Sequence, residues 1–168
     1  MGNFTTDGAY RARTGFMAKL NSAGKVVWQK DIVKYANPAV IDAGISNPAI
    51  DANGNITVGI WGTPSVGGFS DSFYLTKIDT NGNVIWTKNI AIRVHQVRIA
   101  PDGKIIGLAG AGGGVGRVPD SLKQYTTDGI FVKDIISDVT DFLIINPNLI
   151  LVTGYNSQGA FAKSVNIN

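Results

Sequence analysis

Two stretches place oxygen side chains at alternate positions, Asp51-Ala52-Asn53-Gly54-Asn55 and Asp79-Thr80-Asn81-Gly82-Asn83. Calcium loops share this alternation, which makes Asp51, Asn53, Asp79 and Asn81 the candidate metal ligands. Calcium needs about six to eight oxygens, and a loop of the EF-hand kind needs a distal Glu. The chain contains no Glu; its 12 acidic residues are all Asp. The favoured reading is a hairpin turn, with Asn-Gly supplying the positive φ of a two-residue turn and Asp or Asn bonding the local backbone. No metal and no cofactor are expected.

Other chemistry has few carriers. His95 is the single histidine, so a triad or a histidine-based metal site would have to be built around it alone. It lies in a connection beside Arg93 and Gln96, where a structural or exposed role suits it. Asp138 and Asp141 could pair as carboxylates, but the spacing also suits turn capping, and no second acidic cluster supports glycosidase chemistry. The glycine run Gly110 to Gly116 does not fit G-x-G-x-x-G, and no GK[ST] follows. No nucleophile–base–orienter set emerges, and an enzyme is not expected. The remaining candidates are loop aromatics and amides: Trp61, Phe69, Tyr155, Asn156 and Tyr10, with Gln158, Arg11 and Arg13 nearby. Such groups suit a glycan or a peptide, and loops on a rigid scaffold are where binding usually resides.

The elements that would position these residues are hairpins. Gly is 21 of 168 residues, well above the usual ~7%, and Val, Ile, Thr and Asn are common. This composition reads as all-β with many turns. Hydrophobic residues make up 44%, ordinary for a globular chain. The net charge is +3, spread along the chain without a basic run, so nucleic acid is not an expected partner. No cysteine is present, which excludes disulfides and thiolate chemistry. No apolar run approaches ~18 residues, so no helical membrane insertion is expected.

One hairpin recurs. Gly15 to Ile32, Ser70 to Ile90 and Ser121 to Ile135 each read as strand, turn, strand, and Trp28, Trp86 and Phe131 are aligned at one position as core residues between repeats. A second hairpin type lies between them, at Pro48 to Trp61, Val97 to Ala109 and Phe142 to Tyr155. One full unit therefore has four strands. In the second unit these are Ala49–Asp51, Asn55–Trp61, Ser72–Asp79 and Asn83–Ile90. A four-stranded sheet cannot bury both faces alone, so the expected fold is a β-propeller of four-stranded antiparallel blades, about three and a half to four in this chain. A single domain spans 1–168, with units near 1–35, 36–92, 93–137 and 138–168. Residues 1–14 align with the end of a second strand and its loop, and the last unit stops before a fourth strand. The N-terminus carries no signal-peptide pattern and begins in mid-repeat, as a processed form or a fragment would.

The stretches SDSFYLTKIDTNGNVIWTKNI and, less closely, GFMAKLNSAGKVVWQKDI resemble the bacterial SBBP-type β-propeller repeat, and are similar to the strand-turn-strand of PQQ-like propeller repeats. The third copy departs from the pattern, with Phe131 for Trp and Gln124-Tyr125 for Lys-Ile. The resemblance implies a propeller and an extracellular or surface-associated setting. The expected role is structural or interactive: a non-catalytic module that self-associates through incomplete terminal blades, completed by the opposite end or by another subunit. The alternative is a carbohydrate- or receptor-binding propeller using the loop aromatics.

Overall fold

The computed structural model describes residues 15–31, 40–64, 72–110 and 120–168. Among these, every regular element is a strand, and fourteen strands form four antiparallel sheets. The chain is all-β. The first sheet pairs β1 (Phe16–Leu20) with β2 (Val26–Asp31). The second contains β3 (Val40–Ile45), β4 (Ala49–Ile50), β5 (Ile56–Pro64), β6 (Ser72–Ile78) and β7 (Val84–Ile90). The third orders β8 (Val94–Ile99), β9 (Ile105–Ala109), β10 (Ser121–Tyr125) and β11 (Phe131–Ser137) as a meander. The fourth holds β12 (Val139–Asn146), β13 (Leu149–Asn156) and β14 (Gly159–Asn166).

The strand that opens the second sheet is longer than the expected Ala49–Asp51. β3 and β4 both pair with β5, and the three residues between them, 46–48, stand opposite only two on β5, one residue in excess. Pro48 has no N–H to give to a ladder. Ser46 bridges the break: its N–H donates to the Gly59 carbonyl and its Oγ accepts from the Gly59 N–H, both at 2.8 Å.

The hairpin turns differ from the expected two-residue form. In each of five turns the first residue donates to the fifth and the fourth, a Gly, donates back to the first, as with Asp79 N–H to Asn83 O at 2.8 Å and Gly82 N–H to Asp79 O at 3.0 Å. Only the glycines at Gly24, Gly54, Gly82, Gly103 and Gly129 have positive φ there, and the residue before each does not. This is a three-residue loop ending in a glycine bulge. In four of the five the side chain that opens the turn supports it, and in the fifth, which opens with Ala100, Asp102 Oδ1 accepts the Lys104 N–H at 3.2 Å instead. Asp79 Oδ1 accepts the N–H groups of Asn81 and Asn83, both at 2.8 Å, and Asn21, Asp51 and Thr126 hold equivalent turns.

Each sheet packs face to face on the next through an apolar layer. Met17 and Trp28 of the first sheet cover Val58, Ile60, Tyr74 and Ile78 of the second. The opposite face of the second sheet, with Leu75, Ile90 and Trp86, meets Val97, Ile105, Ala109 and Tyr125 of the third. The other face of the third sheet, with Ile106, Leu108 and Leu122, meets Phe142, Ile150, Val152 and Ile167 of the fourth. Because side chains alternate across a strand, both faces of the second and third sheets are apolar and both are covered.

Trp28 and Trp86 take the expected place between sheets, and Phe131 does not. Trp28 lies against Gly82 of the next sheet's turn, and Trp86 against Gly129 of the one after. Both tryptophans follow their own turn glycine, Gly24 or Gly82, by four residues, whereas Phe131 follows Gly129 by two. The residue in register with the tryptophans is Lys133, whose Nζ reaches the Asn168 carbonyl beside the fourth sheet. Phe131 is 51% exposed and leans edge-on against Tyr125 at 5.9 Å. Counted from the turn glycine, the position that Trp28 and Trp86 fill belongs to Lys133, two residues beyond Phe131.

Candidate functional site

The polar groups most able to do chemistry gather where the second strand of a sheet ends and the first strand of the next begins. Trp61 stands near the end of β5, and the Arg93 guanidinium stacks over its ring at 3.7 Å from the centroid. The ring edge lies against Gly44, where a Cβ would come within 2.5 Å of it. One face of Trp61 is thus covered by a cation and its edge by backbone, which makes it a packing residue joining the second and third sheets. Two residues on, His95 Nε2 meets Asp120 Oδ2 at 3.4 Å. Burial lowers the imidazole's proton affinity, Asp120 raises it, and Arg93 lowers it again, with a net downward shift. The imidazole is neutral at pH 7 and anchored to the start of β10. Asp120 in turn uses its carbonyl to accept the Val139 N–H at 3.1 Å.

Tyr155 occupies in β13 the position that Trp61 holds in β5, counted from the turn ahead of each strand. No sheet covers that face of the fourth sheet among the described residues, and Tyr155 is 69% exposed. Its N–H donates to the Asp138 carbonyl at 3.0 Å. Asp138 is the one described non-glycine residue with positive φ, 63°. Asn156 is used locally: its Oδ1 accepts the Gln158 N–H at 2.9 Å in the β13–β14 turn. Tyr10 and Phe69 lie outside the described residues, as do Arg11 and Arg13.

The turn carboxylates face the chain's own donors. Asp51 Oδ1 accepts two backbone N–H groups, and Oδ2 accepts Asn55 Nδ2 at 3.1 Å and Lys77 Nζ at 2.9 Å. Burial would raise this carboxyl, but Lys77, the Asn55 amide and the two N–H groups outweigh it and hold it down at about 2. Asp79 has the same set without the lysine contact: two N–H groups on Oδ1 and Asn83 Nδ2 on Oδ2 at 3.0 Å. Asn53 and Asn81 enter these turns through their N–H groups. Among the described residues no three His or Asp side chains converge as metal ligands.

A second polar group lies on the first strands of the third and fourth sheets. Gln96 Nε2 donates to Asp141 Oδ1 at 3.0 Å, and Arg98 Nη2 approaches the same oxygen at 3.4 Å. Gln96, the Phe142 N–H and Arg98 together depress the Asp141 carboxyl against a smaller opposing effect of burial. Asp138 and Asp141 therefore serve different partners, the former accepting from Ser137 Oγ at 3.2 Å. Arg93, Asp120, Gln96 and Arg98 were not candidates from sequence. The legible signal was the alternation Arg93-Val94-His95, which puts Arg93, just before β8, and His95 on one side of the chain and Val94 in the core.

No family model matches the chain, and no curated protein matches it. A crystal structure of a protein of unknown function from Bacteroides caccae, at 1.35 Å resolution, is similar, with a TM-score of 0.54 and 14% identity. The match covers 94% of this chain and 56% of that one, so this chain spans little more than half of that neighbour's length. The likeness is one of fold.

Proposed function

We propose that the chain is a non-catalytic β-propeller segment of four-stranded blades, with a structural or interaction role in an extracellular or surface-associated setting. The observation that carries this reading is how the opening strands of successive sheets sit. Asn47, beside β4, forms a parallel bridge to Gln96 of β8, and Gln96 then reaches Asp141 of β12. Side-by-side first strands, together with face-to-face packing of each sheet on the next, suit radial arrangement around an axis. The turn carboxylates, His95 and Trp61 are engaged in holding turns and sheets together, which suits a scaffold.

Self-association is the expected partner chemistry, by completion of a sheet from the opposite end or from another subunit. The outer edge of β14 pairs with no strand among the described residues, and such an edge accepts a further strand through its N–H and C=O groups. Amide hydrogen exchange over Gly159–Asn166 tests this. Protection of alternate β14 amides that grows with protein concentration is the expected result. An edge that exchanges freely at every concentration would remove the support.

Exposure of Tyr155 favours one second reading, a carbohydrate- or receptor-binding propeller. A glycan array comparing the protein with Tyr155→Ala decides it: signal lost in the variant supports binding there, and no signal above background ends it.

A further inference from the structure

The repeat makes the second and third sheets comparable with the first and second, and the two junctions differ in the bonds that reach the hairpin turn across each. At the first junction Trp28 Nε1 donates to the Thr80 carbonyl at 3.0 Å, and Lys30 Nζ donates to Asn83 Oδ1 at 3.2 Å. These two bonds, with a third from Lys19 Nζ to the same Thr80 carbonyl at 3.0 Å, close that end of the junction. At the second junction the equivalent residues are Trp86 and Lys88, and the residue in the place of Asn83 is Ile130. Neither bond is made there. Lys88 Nζ has no hydrogen bond or ion pair among the described residues, and its stem passes over Gly129.

A cleft of about 660 Å³ opens at this point, between the end of β7 and the β10–β11 hairpin. Its walls are Ile90, Ile92, Tyr125, Ile130 and Phe131, with Lys88 at the rim. Ile130 and Phe131 are 58% and 51% exposed. The other lysine at the cleft, Lys123, is neutralised by Asp134. Tyr125 supplies a neutral wall, since burial first and Asp134 second push its hydroxyl up to about 12. The volume falls within the about 300–1,000 Å³ typical of small-molecule sites, which are mostly apolar with a few placed polar groups.

The geometry points to a binding site for an amphipathic monoanion, of the long-chain carboxylate class, in this cleft. The apolar body would lie against Ile92, Tyr125, Ile130 and Phe131, and the Lys88 ammonium would donate to the carboxylate oxygens. An anion answers the Lys88 ammonium, which is unpaired among the described residues, and an alkyl chain answers exposed Ile130 and Phe131, which water solvates poorly. The site stands on the junction of two sheets and does not depend on whether the whole assembly closes into a propeller.

The probe is dodecanoate, titrated below its micellar concentration into the full chain. Calorimetry gives the affinity, and ¹⁵N chemical shifts at Lys88, Gly129 and Ile130 give the place. Saturable binding with shifts confined to these residues is expected, with dodecyltrimethylammonium at least about tenfold weaker. Lys88→Met keeps the stem and removes the charge, and should weaken dodecanoate about tenfold. Ile130→Asn restores the lysine–asparagine pair of the first junction and should do the same through a different wall. Both positions are exposed, so both variants should melt like the parent, and a melt will check this. Equal affinity for the cationic probe, shifts elsewhere, or no saturable binding would overturn the proposal. The last outcome would leave another copy of the chain, or one of its own segments, as the cleft's occupant.

Discussion

Replacing Asp51 by Asn should remove a defined part of the pH dependence of stability. The carboxyl is held at about 2, against an ordinary 3.8. That difference corresponds to about 2 kcal/mol favouring the ionised folded form. The side chain is 11% exposed, but it sits in a surface turn where solvent screens the Lys77 contact, so about 1–2 kcal/mol is the working figure. The folded-state value lies below the unfolded one. The stabilisation is therefore complete above about pH 4 and is lost as pH falls through about 2. Asn at this position keeps the turn, because Asn21 already holds the first hairpin with the same two bonds, to Ala23 and Lys25 at 3.0 and 2.9 Å. It does not titrate and cannot pair with Lys77. Asp79, Asp102 and Asp141 are depressed as well, so the parent loses stability in acid for several reasons. The informative quantity is the difference between parent and variant. Urea unfolding monitored by tryptophan emission at pH 7, 5, 3.5 and 2.5 should show a gap of about 1–2 kcal/mol that closes towards pH 2. Parallel curves at all pH values would show that the Asp51 network does not hold the carboxyl down, and the reasoning would fail.

Gly82→Ala and Gly24→Ala share a positive φ, but a Cβ on Gly82 would press on Trp28 and Lys30 at 3.1 Å, whereas Gly24 has open space. Both should cost about 1 kcal/mol for the backbone, with Gly82→Ala costing more in chemical denaturation; equal losses would mean that Trp28 is not docked on that turn. Gly59→Ala should destabilise by about 3 kcal/mol or fail to fold, because its Cβ would meet the Val94 carbonyl at 2.3 Å between the second and third sheets, and a thermal melt reads this. Ile150→Ala should cost about 2–5 kcal/mol and Leu143→Ala little, since the first is buried and the second is 51% exposed; urea midpoints compare them. Trp28→Phe should lose about 1 kcal/mol with the Thr80 bond, and a cycle with Gly82→Ala would show the coupling.

Most of the strand order was legible from the chain alone. Alternation of apolar residues and the recurring Asn-Gly and Asp-Gly pairs placed the strands within a few residues, because a two-residue side-chain period and a glycine at positive φ are local requirements. Local chemistry likewise marked the turn carboxylates as backbone ligands. Other features depended on what lies across a junction. Phe131 looked like a third tryptophan by type, yet its distance from Gly129 turns it to solvent, and Lys133 reaches the neighbouring sheet instead. Trp61 and Tyr155 stand at the same strand position; Arg93 covers one and no described residue covers the other, which is decided by whether a sheet follows. Lys30 and Lys88 are alike in sequence, but Lys30 has Asn83 opposite it and Lys88 has Ile130, and the Lys30–Asn83 bond of the first junction has no counterpart at the second. Periodicity is written in each strand, but burial and pairing belong to two sheets at once, and the second sheet comes from distant sequence.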